Sequence, residues 1–219
     1  MDPNTIRLMM GAAAAGEGLP EIGDFYQGGY FAGYISHTAD SIATHGLIVA
    51  PRASGYNGLS TLRWKTSNTG TSGTLSEYDG AANTANMTNT SHPAANYCAG
   101  LSIGGYSDWY LPARYELGIA YYNLKPTTTS NNTGDGENDY AVPRRYSDYT
   151  AGDPAQTSVA AFQSGGAEAF VASAHWSSTQ GGSAGGSGFG RAVDFNNGNE
   201  FPDSKTTSYF VRAFRRFAL

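Results

Sequence analysis

Two stretches of this 219-residue chain, residues 66–89 and 127–158, are dominated by Thr, Ser, Asn, Gly, Asp and Tyr. Neither carries the two-residue alternation of a half-buried strand or the 3.6-residue recurrence of an amphipathic helix, so both read as long surface loops. Regular structure is left with the short pieces between them. A loop as long as 127–158 is uncommon in a compact domain unless it serves a purpose. It is therefore a binding candidate, the alternative being an excursion packed by its own tyrosines.

The short pieces have recognisable character. "YFAGYIS" and "HGLIVAP" are apolar and aromatic runs bounded by turn residues, which suits two paired strands, and "LRWK" is a third. Ser91 is the expected N-cap of a helix over Pro93–Leu101, with Pro93 in the first turn, where its missing N–H is harmless. A second helix is expected over Pro112–Leu124, because Leu117, Ala120, Tyr121 and Leu124 recur at helical spacing and Pro126 follows. The last third alternates like β-structure, through "FVASAHWSST", "GRAVDF", "EFPDSK" and "SYFVRAFRRF". Asn197-Gly198 between two such runs predicts a type I′ hairpin, with positive φ at both central residues. These pieces define an α+β fold of two helices packed on short antiparallel sheets with long loops, in one domain over residues 21–219.

Composition narrows the function. Only 13 residues are basic, and they are scattered apart from Arg144-Arg145 and Arg215-Arg216, while the net charge is −5. Duplex nucleic acid needs clustered cations to neutralise phosphate, so it is excluded as a partner. Cys98 is the single cysteine, and four separated histidines give no tetrahedral metal spacing, so no disulfide, metal or cofactor is expected. Tyrosine, asparagine, serine and glycine, abundant here, build adaptable recognition surfaces. The apolar run Ile6–Ala15 is too short to span a bilayer and follows Asp2 rather than a basic region, so neither export signal nor membrane insertion is expected. Leu8, Met9 and Met10 suit a short helix that needs a partner, with residues 16–20 as a hinge.

Several motifs invite chemistry. Gly100-Leu-Ser102-Ile-Gly104 spells a hydrolase nucleophile elbow, but an elbow follows a buried strand and opens a helix, and here a helix precedes it and a loop follows. His175 is the only downstream histidine available to a triad, and it adjoins an apolar Trp176. The chain is therefore read as non-enzymatic, with a serine esterase at Ser102 as the remote alternative. Asp194, Asn196, Asn197 and Asp203 match no EF-hand spacing and read as turn chemistry. The tract "GGSAGGSGFG" lacks the residues of a phosphate loop and reads as a tip between strands. "VRAFRRF" reads as a last strand with Val211 and Ala213 inward and Arg212 outward.

Taken together, "IGDFYQGGYFAGYI", "THGLIVAP", "YSDWYLPARYEL", "HWSST" and "GRAVDFNNGNEFPDSKTTSYFVRAFR" resemble, in order and spacing, a domain of unknown function found in phage tail fibres and at the C-terminus of bacterial collagen-like adhesins. That family is similar to C-type lectin-like folds. The resemblance implies a tail-fibre protein in the virion that acts outside the host cell and binds a host surface receptor, a glycan, during adsorption. It further implies residues 1–20 as the attachment to baseplate or tail proteins, and a homotrimer. A structural virion component without receptor binding is the alternative. Trp109, Leu111, Pro112, Glu116, Trp176 and Ser178 are expected to be scaffold. For the binding surface the expectation is Tyr146 and Tyr149 as stacking platforms, with Asn131, Asn132, Asn196 and Asn197 as amide donors and acceptors. His175, where the family usually has Tyr, is expected as an interior donor.

Overall fold

A computed structural model describes residues 18–57, 60–181 and 186–219. The expected helix at Leu8–Met10, most of the 1–20 attachment segment and the centre of the glycine tract lie outside them. In chain order the first half contains strands β1 (Phe25–Tyr26), β2 (Gly29–Ile35), β3 (His45–Val49) and β4 (Leu62–Arg63), and helices α1 (Arg52–Gly55), α2 (Gly80–Ala85) and α3 (Pro93–Ala99). The second half contains helix α4 (Arg114–Leu124) and strands β5 (Ala141–Val142), β6 (Ala174–Gln180), β7 (Phe189–Asp194), β8 (Glu200–Ser204), β9 (Ser208–Tyr209) and β10 (Phe214–Ala218). The α+β class read from the sequence is therefore what the chain adopts.

The main sheet is antiparallel in the order β1-β2-β3-β10, with β5 pairing the far end of β2. Alternation along β3 sends Leu47 and Val49 into one core and Ile48 into another, so both faces of this sheet are covered. α4 covers the first face with Leu117, Ala120, Tyr121 and Leu124. Trp64, Trp109 and Trp176 fill the second, with Ala94, Ala95 and Cys98 of α3. A bulge between Phe31 and Gly33 brings β2 close to α4. Gly33 has φ +136, and a Cβ there would lie 2.6 Å from the Asn123 amide, which bonds Ala32 O at 2.7 Å. Only glycine permits that approach. The sheets β6-β7-β8 and β4-β9 complete the fold.

The structure corrects several boundaries. α3 ends at Ala99 and its N-cap is His92, not Ser91, with no side-chain cap. α4 starts at Arg114 because Ala113 is still extended, with ψ 166. Residues 66–89 are not all loop, since α2 lies there. It spans six residues, its N-cap Asp79 accepts from Ala82 N at 2.8 Å, and it buries Asn83 and Thr84 through hydrogen bonds rather than an apolar stripe. No periodicity was there to be read. β7 and β8 do form the expected hairpin, but only Gly198 has positive φ, so the turn is not type I′. Asp194 organises it instead, its carbonyl accepting from Gly198 N at 2.7 Å and its carboxylate from Asn196 N at 2.8 Å.

Arg212 is the largest correction. The final strand is broken at residues 210–213, and Arg212 points inward, 1% exposed. Its guanidinium donates to Ala50 O at 2.9 Å, Glu168 O at 2.7 Å and the Glu168 carboxylate at 2.8 Å, and it stacks on Phe170 at 4.6 Å. Burial lowers its pKa to about 10. Removing one partner of such a buried pair costs about 3–5 kcal/mol. A sequence pattern cannot separate this arginine from an exposed one, because its partners come from residues 50 and 168.

Candidate functional site

The expected scaffold residues Trp109, Leu111, Pro112, Glu116, Trp176 and Ser178 are all buried. Trp109 Nε1 donates to Tyr106 O at 3.0 Å, Trp176 Nε1 to Leu62 O at 3.0 Å, and Ser178 N to Pro112 O at 2.7 Å. His175 is an interior group: Nδ1–H donates to Ser173 O at 2.9 Å, which leaves Nε2 to accept from the Tyr56 hydroxyl. Burial lowers its pKa to about 3.

The expected ligand residues divide. Tyr149 is no stacking platform, because it is 5% exposed with its ring packed beside Tyr121 and Tyr122. The Asn131 side chain is likewise committed inside. It accepts from Tyr121 Oη at 2.5 Å and Lys125 Nζ at 2.6 Å, and donates to Thr150 O and Pro154 O, both at 2.9 Å. Asn132 donates from its backbone to Asn197 O at 2.8 Å and from its amide to Asp135 at 2.7 Å and Asn199 at 2.6 Å. Asn196 accepts from Thr127 and Thr129. Asn132, Asn196 and Asn197 are thus brought together, but as a clasp between the 127–158 loop and the β7–β8 turn, while Asn131 bonds to Tyr121, Lys125 and its own loop. Tyr146 stands apart, 72% exposed, with the Arg144 guanidinium 4.8 Å from its ring centre.

A different aromatic group lies where the two long loops meet. Tyr78, from residues 66–89, stacks on Tyr140, from residues 127–158, at 4.2 Å and 13°. Tyr140 leans on Tyr115 of α4 at 5.5 Å, and Arg114 covers Tyr115 at 4.3 Å while donating to its hydroxyl at 2.7 Å. All three tyrosines are half-buried. Among the described residues the hydroxyls of Tyr78 and Tyr140 have no hydrogen-bond partner. Sequence reading missed this ladder because its members lie far apart in the chain; the only available signal was the tyrosine content of each loop.

Beside the ladder lies a charged cluster. Arg114 Nε is 3.3 Å from Glu77 and 4.0 Å from Glu200, whose side chain is 10% exposed. Burial pushes the Glu200 pKa up to about 7, opposed by Arg114, Arg145 and Arg191 and aided by Asp135. Asp135 is raised by burial as well, and its carboxylate accepts from Glu200 N at 3.0 Å. The arrangement offers aromatic surface, phenol hydroxyls and both signs of charge in one place.

Ser102 does not sit on an elbow. It is an exposed residue after α3, followed by a tight turn in which Gly104 and Gly105 have φ +62 and +83 and Ile103 pairs Tyr106. The His175 ring nitrogens are occupied elsewhere, as described above. Among the described residues no three His, Cys, Asp or Glu side chains are grouped to hold a metal ion, and no helix is long and apolar enough to cross a membrane. No protein-family model matches the chain, and no curated protein matches it at a significant level.

Proposed function

We propose that this chain is a non-enzymatic receptor-binding protein of a phage tail fibre, with a C-type lectin-like domain over residues 21–219 that attaches to a glycan on the host surface. The observation that carries the reading is the Tyr78–Tyr140–Tyr115 ladder, formed by two long loops on one end of α4, with Tyr146 exposed separately on the second loop. Tyrosine supplies large contact area at low entropic cost, and phenol hydroxyls bond to sugar hydroxyls in either direction. The resemblance to tail-fibre and adhesin domains supports the same reading. A trimeric fibre would multiply weak individual sites by avidity.

The test is adsorption of fluorescently labelled full-length protein to a panel of bacterial strains, before and after periodate oxidation of surface glycans. Binding to some strains that periodate abolishes is the expected result. The variant carrying Tyr78→Phe, Tyr140→Phe and Tyr146→Ala keeps the ladder's rings and deletes its free hydroxyls, and it should bind at least about tenfold more weakly, as loss of roughly 1 kcal/mol per hydrogen bond implies. Absence of binding to every strain would favour a structural virion component.

A further inference from the structure

The tyrosine ladder does not end at Tyr78. The ring of His37, from the segment between β2 and β3, meets Tyr78 edge-on at 5.2 Å and lies against His45 of β3 at 4.5 Å. With Tyr140 and Tyr115 this makes one row of five rings, whose consecutive centres are 4.2 to 5.5 Å apart. All five side chains belong to half-buried residues, so the row reaches the surface along its length. Stacking uses up the surfaces that Tyr78 and Tyr140 turn to each other, and the row therefore offers ring edges and polar ends rather than broad faces. The Tyr78 and Tyr140 hydroxyls are two such ends. His45 supplies a third: the Thr44 hydroxyl donates to Ile35 O at 3.2 Å and so accepts from His45 Nδ1–H at 2.9 Å. That fixes the tautomer and leaves His45 Nε2 an acceptor with no partner among the described residues. Charge beside the row is cancelled locally, by Arg216 with Asp79 at 2.7 Å, Arg114 with Glu77 at 3.3 Å, and Arg144 with Asp139.

We propose that this row binds an uncharged glycan chain of several sugar units, laid from Tyr115 to His45, with His45 Nε2 accepting from a hydroxyl of the unit farthest from α4. The proposal rests on the glycan-binding reading above and deepens it by naming the class of glycan. Length follows from the four successive ring spacings, because a single sugar set on Tyr78 and Tyr140 leaves His45 at one end and Tyr115 at the other untouched. Neutrality follows from the ion pairs. Each arginine along the row already has a carboxylate, so an acidic glycan finds no free cation there and meets Glu77, Asp79 and Asp139 instead. A neutral imidazole nitrogen accepts a proton that a sugar hydroxyl can give, and the two phenols both donate and accept.

The experiment takes a strain that the full-length protein binds, releases fragments of its surface glycan with mild acid, and sorts them by size and by charge. Each fraction then competes with the cells for the labelled protein. Neutral four-unit fragments should inhibit at concentrations at least about tenfold below those of single units, as two added hydrogen bonds imply. His45→Phe keeps a ring and removes Nε2, and it should weaken the four-unit fragments about fivefold, the effect of one lost hydrogen bond. His45→Gln restores an acceptor and should recover most of that loss, which a merely structural role for His45 would not produce. Should both variants misfold, the size series on the unaltered protein still decides. Single units as potent as four, inhibition confined to acidic fragments, or a folded His45→Phe protein with the parent's affinity for the longer fragments would each overturn the row and leave the receptor reading. Binding to no strain, or cell binding that protease abolishes and periodate does not, removes the glycan reading itself.

Discussion

Glu116 is wholly buried, and its carboxylate accepts from Ala113 N at 2.7 Å, Gly80 N at 3.2 Å and Tyr110 Oη at 2.8 Å. One side chain therefore ties the start of α4 to the start of α2. The contact demands glycine at position 80, where a Cβ would stand 2.4 Å from the Glu116 oxygen. Burial pushes the Glu116 pKa up to about 7, and the hydrogen bonds from Ala113 and Tyr110 only partly offset it. Because the folded pKa lies above the unfolded value of 4.5, the contribution is fully present below pH 4.5 and is lost as pH rises through 7. Glu116→Gln reproduces the protonated form, its oxygen accepting both backbone amides and its NH2 facing Tyr110. The stability of this variant relative to the parent should rise between pH 5 and pH 8, by up to about 3 kcal/mol. Urea titrations at those two pH values would check this, and a difference that does not change with pH would refute it. Glu116→Ala should instead lose about 2–4 kcal/mol at pH 5, since it strands buried donors, and less at pH 8, where the parent has itself lost the Glu116 contribution.

At the scale of elements, what the sequence made legible was local. The β2–β3 pair, α4 and the β7–β8 hairpin each announce themselves within about ten residues, through alternation, helical spacing or turn residues. α2 escaped notice because its buried positions are polar. The tyrosine ladder and the asparagine clasp escaped because their members meet only after the chain has folded. The tyrosines and asparagines of residues 127–158 stand out in the sequence as a group, but which of them face solvent is set by contacts made on folding, those of Lys125 among them. That ammonium is buried, donates to Thr129 O at 2.6 Å, Asn131 Oδ1 at 2.6 Å and Pro154 O at 3.1 Å, and so fastens both ends of the loop to the end of α4. Lys125→Met keeps the stem, strands Thr129 O and removes one of two hydrogen bonds at Asn131 Oδ1 and at Pro154 O. Hydrogen exchange should accelerate across residues 127–158 while β2 and β3 stay protected. Acceleration shared equally by those strands would show that Lys125 supports the whole core rather than one loop.

Two sets of buried titratable groups pull the whole molecule in opposite directions. Glu116 and Glu200 both have pKa values pushed up to about 7 by burial, so each contributes stability below pH 4.5 that is lost by pH 7. His37 and His92 are held down to about 4 and His175 to about 3, burial being the largest cause in each case. Arg216 and His45 add to the depression of His37, and Lys65 and Lys205 to that of His92. Their folded values lie below the unfolded 6.5, so their contribution is complete above pH 6.5 and is lost as pH falls toward 4. The two slopes overlap between pH 4.5 and pH 7, and stability should therefore pass through a maximum there and fall on both sides. Melting temperatures taken from pH 4 to pH 9 test this directly. Glu116→Gln should raise the melting temperature relative to the parent progressively from pH 4.5 to pH 7 and leave the slope below pH 4.5 unchanged, because the histidines are untouched. A melting temperature that climbs steadily to pH 9 would mean that Glu116 and Glu200 are held ionised in the folded protein, by Arg216 and by Arg114, Arg145 and Arg191.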